Sequence, residues 1–115
     1  MRVEGIPPDA IHAYVDKRGF PTLKIDGPVS PLLAAAFEAD IQTPSIAALI
    51  YERLDEVAKG REPGAYFSGN SCTVTIDQDR VCIENDILDS REPFEMSQSQ
   101  YRVILDIWSA LLVGS

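Results

Sequence analysis

A chain of 115 residues, 45% hydrophobic and 24% charged, has the composition of one folded domain and can bury about two-thirds of its unfolded surface. Eighteen acids against ten bases leave a net charge of −8, which argues against nucleic acid or an anionic membrane as direct ligand, since both are gripped by Lys and Arg. No apolar run reaches the roughly 20 residues of a membrane span, and no signal-peptide core follows Met1-Arg2-Val3-Glu4-Gly5. Two cysteines make no disulfide framework. A single domain over residues 1–115 in the cytoplasm is the expectation.

Ala10–Ile25 fits helix or strand by periodicity alone, and turn chemistry decides for a hairpin. Asp16-Lys17-Arg18-Gly19 suits a type I turn followed by a left-handed glycine, pairing roughly 11–16 with 20–25. Ser30 before Pro31 reads as an N-cap with proline in the first turn, followed by an apolar stripe of Leu32, Leu33, Ala36 and Phe37. Thr43-Pro44 repeats the device, so the chain should break near Gln42. A second helix over 44–59 turns Ile46, Leu49, Ile50, Leu54 and Val57 inward and stops at Lys59-Gly60. Its outer face carries Glu52, Asp55 and Glu56, with Asp55 spaced favourably from Lys59.

In the back half, Cys72, Val74 and Ile76 alternate with Ser71, Thr73 and Thr75, a strand with one apolar face opened by Tyr66 and Phe67. A polar turn at Asp77–Arg80 matches Ile76 to Val81 and Val74 to Ile83. Cys72 then faces the core and Cys82 faces away, so the two cannot bridge. Ser97-x-x-Gln100 is a capping box for a last helix whose stripe is Tyr101, Ile104, Leu105, Trp108, Leu111 and Leu112. The order strand-strand-helix-helix-strand-strand-helix predicts an α+β domain: an antiparallel sheet built from two hairpins, with helices packed on one face.

Residues 31–60 hold five acids against two bases, and 77–95 hold seven against two, while the remaining stretches balance. Charge localised in this way marks a docking face for a basic partner. Catalytic chemistry finds little support. The one histidine, His12, reads as a surface residue, and Glu84 beside Cys82 would raise the thiol pKa, the wrong direction for a nucleophile. Asp77-x-Asp79 starts like a calcium loop but lacks its later ligands, Gly64, Gly69 and Asn70 lack phosphate-loop spacing, and no cofactor or metal site is expected. Glu84, Asp86 and Asp89 read as a solvated acidic edge in preference to an acid–base pair. Of the neighbours Tyr66 and Phe67, one must point outward as a contact anchor.

Three segments then resemble a known family: Gly69-Asn70-Ser71-Cys72-Thr73-Val74-Thr75-Ile76-Asp77; Arg80-Val81-Cys82-Ile83-Glu84-Asn85; and Met96-Ser97-x-x-Gln100-Tyr101 with Ile104-Leu105-x-x-Trp108. Asp16-x-x-Gly19-x-Pro21 and Val57-Ala58-Lys59-Gly60 fit as well. The chain resembles the small acidic immunity proteins encoded beside bacterial contact-dependent and other polymorphic toxins. It departs in one respect: an aromatic, commonly Trp, is expected just before Gly69, where Tyr66-Phe67 stand nearby. The resemblance implies a non-enzymatic inhibitor of a basic nuclease toxin domain; the expected state is a monomer or a 1:1 heterodimer. The residues expected at the toxin are Asp77, Asp79, Glu84, Asp86, Asp89 and Glu92, with Glu52, Asp55 and Glu56 as a second patch and Tyr66 as anchor. The alternatives are an interaction module or homodimer of other role, and a small carboxylate enzyme.

Overall fold

The computed structural model describes residues 1–27, 29, 31–86 and 92–114, with the side chain of Leu32 set aside. The expected Ser30 cap and Asp89, with its neighbours Ile87 and Leu88, lie outside the described residues. The expected α+β layout is present, divided between two antiparallel sheets. β1 (Ile11–Val15) and β2 (Pro21–Ile25) form one, and β3 (Gly64–Ser68), β4 (Cys72–Asp77), β5 (Val81–Asn85) and β6 (Phe94–Met96) form the other in sequential order. Three helices join them: α1 (Pro31–Glu38), α2 (Pro44–Ala58) and α3 (Gln98–Gly114).

The front hairpin closes as its turn chemistry predicts. Asp16 Oδ1 accepts the backbone N–H groups of Arg18 and Phe20, each at 2.9 Å, and Gly19 takes φ 87°. The N–H of Phe20, above all, holds the Asp16 carboxyl below its usual pKa. Thr43 Oγ1 accepts from Ile46 N at 3.2 Å to start α2, and Gly60 at φ 76° follows its C-cap Lys59. Leu49 departs from its expected inward position. It is 37% exposed, while Ala47, Ile50, Leu54 and Val57 fill the buried stripe.

The four-stranded sheet has one apolar face. Cys72, Val74, Ile76, Val81, Ile83, Phe94 and Met96 are buried beneath the helices. The register Val74↔Ile83 and Ile76↔Val81 is the predicted one, and Cys72 and Cys82 lie on opposite faces as free thiols. The sequence pattern merged β3 with β4. They are separate strands because Gly69-Asn70-Ser71 turns the chain around Asp40, a buried carboxylate at the end of α1. Asp40 Oδ1 accepts Ser71 N at 2.9 Å and Ser71 Oγ at 3.2 Å; Oδ2 accepts Cys72 N at 2.9 Å. Asn70 Nδ2 donates to Ala39 O at 3.0 Å, and any Cβ on Gly69 would lie 2.4 Å from Asp40 Cγ. The Gly-Asn pair is thus a packing device, with no phosphate-cradle geometry.

The last helix fills the core with Tyr101, Ile104, Leu105, Trp108 and Leu112, and Trp108 Nε1 donates to Ile41 O at 2.7 Å. Only half of the capping box forms. Ser97 Oγ accepts Gln100 N at 3.0 Å, but the Gln100 side chain grips Ile6 N at 2.8 Å instead of returning to Ser97. Glu4 Oε1 takes the Ser97 N–H at 2.7 Å, so the N-terminal segment supplies the second cap.

Candidate functional site: an open acidic sheet face

Alternation along the strands places the second face of the large sheet away from the helices. Its residues run in rows across the register: Tyr66, Thr75, Cys82 and Glu95; then Ser68, Thr73 and Glu84; then Gly64 and Asp77. Tyr66 is 66% exposed, so it is the outward member of the Tyr66–Phe67 pair. This face carries hydroxyls, a thiol and carboxylates, with one exposed aromatic ring on its β3 edge. Such a composition suits a polar contact surface with a single anchor.

The carboxylates on and around it divide by partner. Asp77 Oδ1 accepts the backbone N–H of Asp79 at 2.9 Å and of Arg80 at 2.8 Å, which shapes the β4–β5 turn. Arg80 reaches Asp77 at 3.6 Å and Glu95 at 2.8 Å, so two acids share one guanidinium at that end of the face. Asp86 takes the Thr73 hydroxyl at 2.8 Å and 2.9 Å. Glu92 pairs with the N-terminal ammonium at 2.9 Å, whose hydrogen bond lowers its pKa. Asp79 and Glu84 are exposed and have no side-chain partner among the described residues.

The second patch proves to be split. Asp55 turns to Arg102 of α3 at 2.7 Å instead of to Lys59, and Glu56 takes Arg61 at 3.1 Å. Glu52 remains without an ion pair among the described residues and lines a groove of about 500 Å3 between α2 and β3. Leu49, Arg53, Glu56, Glu62 and Tyr66 line the same groove. Tyr66 therefore belongs both to the groove and to the sheet face, and it joins two acidic regions separated in sequence. Glu62 was not singled out from the sequence, and Leu49 was expected in the core and not at a groove. The available signal was Gly60, whose left-handed φ folds Arg61 and Glu62 back so that both N–H groups bond Glu56 O.

Cys82 sits half-buried within the face. Burial raises its thiol pKa, and Glu84 and Glu95 add to the shift. His12 lies on the other sheet, 3.0 Å from Asp26, remote in topology from these acids. Among the described residues no group of three His, Cys, Asp or Glu side chains is placed to hold a metal ion. Nor is any helix long and apolar enough to cross a membrane.

The fold and the site define an α+β domain whose larger sheet has one acidic face that carries no helix among the described residues. Comparisons with models of protein families, with curated proteins and with solved structures gave no match.

Proposed function

We propose that this protein is an immunity protein that binds and neutralises a basic toxin domain, a nuclease by its charge requirement, in the cytoplasm. The observation that carries the reading is a set of carboxylates without a side-chain partner among the described residues: Asp79 at the β4–β5 turn and Glu84 on the sheet face, with Glu52 and Glu62 beside exposed Tyr66 at the groove. A nuclease grips phosphates with Lys and Arg, and an acidic surface engages those same side chains. Long-range attraction speeds capture, while the tyrosine and the hydroxyl rows supply short-range fit. The thiol and carboxylates act here as contact groups, not as reacting ones.

Calorimetric titration against the C-terminal domain of the polypeptide encoded immediately upstream tests the reading. The expected result is a one-to-one complex of about nanomolar affinity, weakened by salt. No heat at low or high salt, with both proteins folded, would remove the immunity reading for that partner.

A further inference from the structure

The two edges of the large sheet differ. At β6 the N-terminal segment adds a bridge, with Val3 N donating to Glu95 O at 2.7 Å and Glu95 N to Met1 O at 2.8 Å. At β3 no such segment is present among the described residues. The orientation of its free groups follows from the ladder. Gly69 N donates to Cys72 O at 2.9 Å, a hydrogen-bonded position, so Phe67/Val74 and Ala65/Ile76 continue the hydrogen-bonded set. Gly64, Tyr66 and Ser68 fall between them, and their N–H and C=O groups point away from β4. All three residues are exposed. Within β3, Gly-Ala-Tyr-Phe-Ser offers no charge, proline or bulge of the kinds that ordinarily protect an edge.

Beside this edge lies the groove under α2, where Glu52 and Glu62 have no ion pair, and buried Arg53 Nε no hydrogen-bond partner, among the described residues. We infer that β3 accepts an extended, basic segment of the partner protein as a fifth strand. The outward groups of Gly64, Tyr66 and Ser68 bond its backbone, and its Lys or Arg side chains face Glu52 and Glu62. The inference rests on the proposed inhibitor function and names the contact that function uses. A second copy of this chain is a poor occupant, because pairing β3 with itself would bring Glu52 and Glu62 of both copies together.

Amide hydrogen exchange with the upstream-encoded toxin domain, and in parallel with a capped peptide of alternating Lys and Val, provides the test. In free protein the Tyr66 and Ser68 amides exchange fast while those of Ala65 and Phe67 are protected. On saturation with either probe, Tyr66 and Ser68 should slow by about tenfold or more. Ser68→Pro removes one outward donor without touching the β3–β4 ladder, and should weaken binding about fivefold to tenfold. Glu52→Lys with Glu62→Lys should weaken it about tenfold at low salt. A saturated toxin complex in which Tyr66 and Ser68 still exchange at the free rate overturns the strand inference and leaves the inhibitor function standing. If the toxin domain fails to bind, the inhibitor reading falls, and the peptide arm alone then decides whether the edge takes a basic strand. Concentration-dependent protection of these amides without any probe would assign the edge to a second copy and overturn the inference.

Discussion

Asp40 and Glu84 carry the same charge on the same sheet's neighbourhood, and the molecule treats them in opposite ways. Asp40 is 4% exposed and each of its carboxylate oxygens meets a donor from the β3–β4 turn. Glu84 stands on the open face with no side-chain partner among the described residues. Around the first, negative charge is consumed in holding two elements together; around the second it remains available to another molecule. Net charge alone says nothing about which acid does which, and hydrogen-bond satisfaction separates them.

That contrast can be broken most forcefully at Asp40. Asp40→Ala leaves the N–H groups of Ser71 and Cys72 without their acceptor and should cost about 3–4 kcal/mol, since charge-assisted bonds are the strong ones. Thermal denaturation would show this as a fall of roughly 10–15 °C for a domain of this size; an unchanged midpoint would mean that Asp40 does not hold the turn. Gly69→Ala is expected next, at about 2 kcal/mol, because its methyl would be forced against Asp40. Adding Asp40→Ala to that variant should relieve part of the second loss, and full additivity in a double-mutant cycle would contradict a direct contact.

On the open face the sign of the expectation reverses. Asp79→Lys with Glu84→Lys should change stability by no more than about 0.5 kcal/mol, yet slow association with the proposed basic toxin domain and weaken its salt dependence. Stopped-flow rates at several salt concentrations would read this, and an unchanged rate would move the docking surface elsewhere. Thiol labelling sharpens the same contrast on the two cysteines. Cys72, buried on the apolar face, should resist alkylation of the folded protein. Cys82 should react slowly at neutral pH and faster as pH rises, since burial lifts its pKa, and bound partner should shield it.

The smallest effect is a titration. Burial, followed by its hydrogen bond to Asp106, pushes the Tyr51 phenol up to about 12. A raised folded pKa in an acid means that the neutral form is favoured in the fold. Its stabilising contribution is whole below the ordinary value of 10.0 and is lost as pH rises from there through about 12. Tyrosinate absorbance of wild type against Tyr51→Phe should isolate that step, and a difference spectrum centred near the ordinary value would refute it.

Much of this was legible in residue order. Local signals wrote the β1–β2 hairpin, the break before Pro44, the β4–β5 register and the face of each cysteine, because turn residues and strand alternation act over a few positions. The Asp40–Ser71 contact joins residues 31 positions apart, and the Gln100–Ile6 bond spans 94. No local rule foresees either. β6, at three residues, is too short for a periodic pattern and is fixed by pairing to β5 and to the N-terminal segment. The acidic composition of the site was plain from the sequence. Its sorting into shared, satisfied and free carboxylates was not, since Asp55, Glu56 and Asp77 found partners that only tertiary structure supplies.

Trp108 is the chain's one tryptophan, and its place gives the protein a built-in optical gauge. The indole is 1% exposed and tied to Ile41 O at the junction leading from α1 into α2. Its emission should shift to longer wavelength when that junction opens to water. It lies among the helices, on the side of the sheet opposite the acidic face, so a partner docking on that face would leave its colour unchanged. Intrinsic fluorescence of this protein therefore follows unfolding while remaining blind to capture, and the two events can be followed separately in one cuvette by adding a dye to the partner alone.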